Sequence, residues 1–248
     1  MNLTKNTVLI SGGSAGIGFE IAKQLTEKGN HVIITGRNQE RLDKAAAQLN
    51  NVTPILFDVT NEEEVNQLAN QLSTDFPELN ILINNAGYGN AYNLLTGEKV
   101  WEKAREEMNT NYISLIRLTE KLLPQLLQQK DAAIVNVTSI VAIEPTLRTP
   151  TYSASKAAVH SYTKVLRLTL RETAVRVFEL MPPLVNTDFS IEIGGKENGM
   201  PASEVATDLI NALESNHYEI HVGKTAFIYD LERTSPAAAL NAINGIEA

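Results

Sequence analysis

Seven times along this sequence a short apolar run gives way to a polar turn or a longer amphipathic stretch, and few architectures accommodate that rhythm. The runs are "TVLI" (7–10), "HVIIT" (31–35), "TPILFDV" (53–59), "NILINNAG" (80–87), "AAIVNVTS" (132–139), "AVRVFELM" (174–181) and "YEIHV" (218–222). Runs this continuous belong to strands covered on both faces. Ile17, Ile21 and Leu25 recur at helical spacing before Gly29, a plausible stop. Leu42, Ala45, Ala46 and Leu49 predict a helix over 38–49, and Asn61 caps the acid-rich "NEEEVNQLANQL". A helical region covers 98–129 with a break near Asn109–Asn111. Pro150 suits the first turn of the helix that carries Tyr152, and a further helix covers 201–215. Strands alternating with helices and joined by right-handed crossovers give an α/β fold, a doubly wound parallel sheet of about seven strands with helices on both faces. With no linker or internal repeat, residues 1–248 are expected to form a single domain. The glycine-bearing 188–200 is irregular and is the candidate for a substrate lid.

Composition narrows the function. The formal charge of −8 and pI of about 5.1 disfavour nucleic-acid and anionic-membrane partners, which want a basic face. The chain has no cysteine, which excludes disulfides, zinc–thiolate sites and thiol nucleophiles. His31, His160, His217 and His221 make no convincing metal set, so no metal is expected. No apolar run approaches the ~20 residues of a membrane span. "MNLTKNTVLI" is too short and polar for a signal peptide. A cytoplasmic protein is the expectation.

"SGGSAGIG" (11–18) joins the first strand to the first helix. An open α/β sheet binds phosphates at this point, with backbone N–H groups and a helix N-terminus facing the anion. The spacing is G-x-x-x-G-x-G, and no Lys-Ser/Thr follows to make a P-loop. "GGSAG" also fits G-x-S-x-G, the nucleophile elbow of serine hydrolases, with Ser14 as nucleophile and His217 or His221 as base. Its position argues against that reading: only ten residues precede the turn, too few for the upstream oxyanion loop.

"TYSASK" (151–156) sets a phenol and an ammonium four apart, on one face of a helix. Of seven tyrosines, only Tyr152 has a lysine at that distance. A phenol ionises near pH ~10, and a nearby cation lowers that value. A shift of about three units would need about 4 kcal/mol. Function in such a sheet gathers beyond the C-terminal strand ends. Those ends carry Asn84-Asn85-Ala86-Gly87, Thr138-Ser139 and the segment Met181–Thr187.

Together these motifs resemble the short-chain dehydrogenase/reductase family over about residues 5–190. "SGGSAGIG" is similar to the family's T-G-x-x-x-G-x-G turn, with Ser11 for Thr, and "NNAG" matches entirely. Asn111, Ser139, Tyr152 and Lys156 match its catalytic tetrad. The resemblance implies a Rossmann-type fold. It also implies that Tyr152 is the general acid/base, that Lys156 lowers its pKa and holds the nicotinamide ribose, and that Ser139 hydrogen-bonds the substrate oxygen. Asn111 would order a water linking Lys156 to solvent. The implied cofactor contacts are Gly12, Ser14, Gly16, Ile17, Gly18, Arg37, Asp58, Val59, Asn85, Ala86, Gly87, Tyr152, Lys156, Val185 and Thr187.

At the end of strand two an NAD-selective site usually carries an acid. Here Gly36 stands in that place and Arg37 follows. A guanidinium suits a 2′-phosphate, and Ser14 adds a hydroxyl. NADP(H) is expected, with NAD as the alternative. Asp58 resembles the family residue near the adenine and is equally a candidate cap for the next helix. Pro182-Pro183 replaces the family's frequent Pro-Gly and removes the N–H at position 183. The tail 223–248 also departs, and reads as a strand followed by a helical segment. With "MPPLVNTDF" it looks like the bacterial oxidoreductases associated with lipoteichoic-acid D-alanylation genes. Ile140, Val141, Ile143, Leu147, Leu184, Phe189, Ile191 and Ile193 either line a substrate side or are core. Arg148 faces an anionic substrate or solvent. The expected activity is hydride transfer between NADPH and a small-molecule carbonyl or secondary alcohol. The alternative is a non-catalytic NADP(H)-binding sensor. A homodimer through helices 110–129 and 150–172 is expected.

Overall fold

The structure, a computed structural model, describes residues 1–96 and 98–247. Strand β1 (Thr7–Ser11) is buried at every position. Its side chains alternate between two cores: Val8 and Ile10 enter one, Leu9 the other. The same alternation in β2 (His31–Gly36) sends Val32 and Ile34 one way and Ile33 the other. This is the two-sided burial that the continuous apolar runs predicted. Fully burying one such side chain contributes about 1.5–3 kcal/mol.

After β1 and β2, the sheet is built from β3 (Val52–Leu56), β4 (Leu79–Asn84), β5 (Ala132–Val137) and β6 (Val175–Met181). A two-residue pair, β7 (Val185–Asn186) with β8 (Met200–Pro201), stands apart, and β9 (Glu219–His221) completes the main sheet. That sheet is parallel throughout, in the order β3-β2-β1-β4-β5-β6-β9. The order reverses between β1 and β4, and such a reversal opens a crevice at the strands' C-terminal ends. Pro54 is tolerated because β3 is an edge strand.

Helices α1 (Gly16–Glu27), α2 (Gln39–Ala46) and α3 (Glu62–Asp75) follow the first three strands. Asn38 caps α2 by accepting from Arg41 N at 2.9 Å, and Asn61 caps α3 by accepting from Glu63 N and Glu64 N. The expected break in the long helical region is a π-helical turn, Asn109–Ile113, between α4 (Val100–Met108) and α5 (Ser114–Leu126). Helix α6 (Pro150–Thr169) starts on its proline.

Three expectations need correction. The third strand ends at Leu56, because Asp58 turns the chain: its Oδ1 accepts from Thr60 N at 2.8 Å and from Thr60 Oγ1 at 2.7 Å. Residues 188–200 are not irregular. They form a 3₁₀ helix (Asp188–Ile193), the short α7 (Gly195–Asn198) and β8, with Gly194 at φ +83° turning one helix into the next. The tail holds no strand among its described residues. After α8 (Ala202–Ser215) and β9, it forms α9 (Lys224–Thr234) and α10 (Pro236–Asn244), a helical pair broken at Ser235-Pro236. The main sheet therefore ends at β9, which pairs with β6. Among the described residues no helix is long and apolar enough to cross a membrane.

Candidate active site

The glycine turn is held from behind by "NNAG". Asn85 donates through Nδ2 to the carbonyls of Ser11 and Gly12, both at 3.0 Å. Ser11 Oγ in turn accepts from the backbone N–H groups of Asn85 and Ala86 at 3.0 and 3.1 Å. Gly12 and Gly16 take φ of +67° and +55°, where a side chain would be strained. Gly18 serves close packing: a Cβ there would lie 2.5 Å from both Asn85 Nδ2 and the Gly12 carbonyl. The turn therefore leaves the N-terminus of α1 bare and facing the crevice.

A cleft of about 1260 Å³ opens over these strand ends. Its lining brings together Gly12, Gly16, Ile17, Arg37, Asn85, Ala86, Gly87, Ser139, Tyr152, Lys156, Val185 and Thr187, residues drawn from all parts of the sequence. Ser14 lies just behind, beside the end of β2: a Cβ on Gly36 would sit 3.0 Å from its Oγ. Besides Ser14, four expected residues lie off the lining. Gly18 is in the packing just described. Asp58 is engaged in its turn, and Val59 follows it there. Asn111 is buried in the π-helical turn. Its Oδ1 accepts from Tyr88 N at 2.7 Å, and its Nδ2 donates to the Tyr88 carbonyl and to Ser155 Oγ, both at 2.8 Å. Its amide thus holds the wall of the cleft through three hydrogen bonds.

Tyr152 and Lys156 sit one turn apart on α6. The Tyr152 ring is half-covered, with the Phe189 ring at 5.5 Å between centroids. Lys156 Nζ lies 5.6 Å from the Tyr152 ring centroid and donates to the Val137 carbonyl at 2.9 Å. Burial holds the Tyr152 phenol above its ordinary range; the Glu107 carboxylate adds to this, and Ser139 acts the other way. Burial brings the Lys156 ammonium down to about 8, opposed by Glu179. Burial thus outweighs the opposing hydrogen bond from Ser139, while the Lys156 ammonium leans on a carbonyl.

The far wall includes residues that the sequence reading passed over. Phe227, Ile228 and Ile243 of the two tail helices line the cleft beside Ile140, Val141, Leu147, Leu184, Phe189 and Ile193. Ile143 and Ile191 are not on it. The signal was Phe227, Ile228 and Leu231 at helical spacing. Asn244 ties the tail down, accepting from Leu147 N at 2.7 Å and donating to the Pro145 carbonyl at 3.0 Å. Arg148 donates to the carbonyls of Glu192 and Ile193 at 3.0 and 3.3 Å, so it clips the 3₁₀ helix to the opposite rim. Buried Glu107 holds the loop before α4, accepting from Asn90 N at 2.8 Å and from Thr151 Oγ1. The hydrolase alternative has no geometry, because Ser14 adjoins β2 whereas His221 is on β9, across the sheet.

A doubly wound sheet with a glycine turn at its switch point and a Ser-Tyr-Lys group in the adjoining cleft defines a dinucleotide-dependent oxidoreductase. The chain belongs to the short chain dehydrogenase family, whose model matches residues 6–198. It is 38% identical over 224 residues to the uncharacterised oxidoreductase DltE of Bacillus subtilis, covering 89% of each chain. It superposes on a short chain dehydrogenase from Burkholderia cenocepacia in complex with NADP, at TM-score 0.86 and 28% identity, over 98% of both chains. A Burkholderia phymatum family member in complex with NAD shares the fold at TM-score 0.86 and 21% identity, over 96% of both chains.

Proposed function

We propose that this protein transfers a hydride between NADP(H) and an apolar carbonyl compound or secondary alcohol, with Tyr152 as general acid/base. The observation that carries the reading is the convergence of the glycine turn, Arg37, Ser139, Tyr152 and Lys156 on one cleft. The chain fits the cofactor. A Cβ on Gly12 would meet Ala86 Cα at 3.0 Å, so the turn packs directly on the residues after β4 and keeps the cleft floor low. The backbone N–H groups of that turn and the start of α1 would hold the pyrophosphate. Arg37 and the Ser14 hydroxyl would hold a 2′-phosphate beside Gly36. The Burkholderia cenocepacia relative, with NADP, supports this choice.

When bound, the nicotinamide supplies or accepts the hydride. Tyr152 Oη gives a proton to the substrate oxygen in reduction and takes it back in oxidation. Ser139 Oγ donates to that oxygen and keeps it in reach. Lys156 stabilises negative charge near the phenol, and with it the proton transfer. The apolar wall from Val141 to Phe227 excludes water and favours an apolar substrate body. The segment 188–200 acts as a lid, supported by the tilted contact of Phe189 with Tyr152 and by the Arg148 clip. A homodimer through α5 and α6 belongs to the same reading: Val165 and Leu168 stand 61% and 63% exposed on α6. A carbonyl panel assayed with NADPH and with NADH tests it. Tight NADPH binding without turnover of any carbonyl would leave a sensor instead, and binding of neither cofactor would end the proposal.

A further inference from the structure

Strand β6 carries a carboxylate in its interior. Glu179 has no exposed surface, in a strand whose other residues are almost all apolar. It accepts from Thr138 Oγ1 at 2.7 Å, and both its oxygens meet His160 Nδ1, at 2.9 and 3.0 Å. Thr138 directly follows Val137, whose carbonyl receives the Lys156 ammonium, and Thr138 itself lines the cleft. His160 is one helical turn beyond Lys156, as Lys156 is one turn beyond Tyr152. Phenol, ammonium and imidazole therefore form a stripe along α6, and Glu179 stands at its base.

We infer that Glu179 is a positioning residue for the reaction: it is the buried counter-charge that keeps the Lys156 ammonium protonated in a dry site. This rests on the reading of Lys156 as the cation beside Tyr152. A lysine buried at 4% exposure is pushed toward its neutral form, and a fixed negative charge nearby is what opposes that push. Glu179 acts on Lys156 in that direction. Thr138 and His160 satisfy the carboxylate without neutralising it through a permanent cation. The other titratable groups facing the pair are Tyr152 on α6, Glu107 on α4, and Glu219 and His221 on β9. Glu219 is opposite Glu179 in register, and Arg167 engages it at 2.9 Å. His221 stacks on Tyr229.

The test reads Lys156 directly, in the ligand-free protein labelled with [13C]lysine. The Lys156 Cε resonance is assigned by its loss in Lys156→Arg, and its titration midpoint is compared between wild type and Glu179→Gln. The expected result is a midpoint lower by about one unit. The alkaline limb of any kcat profile moves the same way, with activity recovered at lower pH. An unchanged or higher midpoint in Glu179→Gln overturns the inference. If Glu179→Gln does not fold, His160→Ala serves. It strips a donor that favours the ionised carboxylate and should lower the midpoint, and a midpoint that stays or rises overturns the inference. The resonance is readable whether or not a carbonyl substrate is found, so failure here is distinct from failure of the proposed reaction.

Discussion

Lys156 donates its ammonium to the main-chain carbonyl of Val137, 2.9 Å away, at the end of β5. A buried cation held by one carbonyl costs stability, and the sign of its pH dependence follows. The folded lysine loses its proton near 8, against 10.5 for the ordinary group. Between those values the unfolded chain binds a proton that the folded chain has released, so stability rises with pH. Below about 8 both states are protonated and the cost is present in full. The phenol of Tyr152 opposes this only above its ordinary value of 10, because the folded state then keeps a proton that the unfolded state sheds. Denaturant unfolding of wild type and Lys156→Met from pH 7 to 10 checks this. The difference should grow in favour of wild type above pH 8, by up to the order of 3 kcal/mol at complete titration. A difference independent of pH would count against the burial of a charged lysine.

Replacing Tyr152 by Phe removes one oxygen from a ring already packed against Phe189. The shape survives and the proton donor does not. Turnover should fall by a factor of about 10²–10⁴ or more, as for loss of a general acid, while NADPH affinity by fluorescence titration stays near that of wild type. Retained turnover would assign the proton to another group.

Arg37 is exposed at the cleft mouth and lacks a carboxylate partner among the described residues, whereas Arg41 lies 3.7 Å from Asp188. A free guanidinium suits a phosphate. Arg37→Ala should weaken NADPH by about 1.5–3 kcal/mol, the range for charged hydrogen bonds, and barely change NADH. Equal losses for both cofactors would remove Arg37 from the 2′-phosphate.

Much of this was legible before any coordinates. The strands showed because their apolar runs are continuous, and the glycine turn because its spacing is tight. The split near Asn109 showed because polar residues interrupt a helical pattern. The tail did not show. "TAFIYD" carries β-branched and aromatic residues that suit a strand, yet it forms the first turns of α9, burying Thr225 and Ile228. The direction of the Tyr152 shift was hidden for a similar reason. The sequence gives the distance to Lys156 along a helix, but not the burial around it or the carboxylate of Glu107, contributed from 45 residues away. Asn111 matched a motif by position, but its bonds to Tyr88 and Ser155, which tie the loop after β4 to α6, could not be read from spacing.

The tail helices offer the remaining prediction. Asn244 is a latch between α10 and the loop before α6, bonded to Leu147 N and the Pro145 carbonyl. Ala242 and Ile243, just before it, line the cleft. Asn244→Ala removes both bonds where the backbone is exposed to water, so the expected loss of overall stability is small, about 0.5–1.5 kcal/mol per bond at most. The wall it holds should loosen. KM for apolar carbonyl substrates should rise several-fold, with kcat less affected and NADPH affinity unchanged, because the glycine turn lies on the other side of the cleft. Steady-state kinetics with a graded series of alkyl ketones checks it. A latch that matters only for folding would lower the melting temperature and leave the dependence of KM on alkyl length as it was.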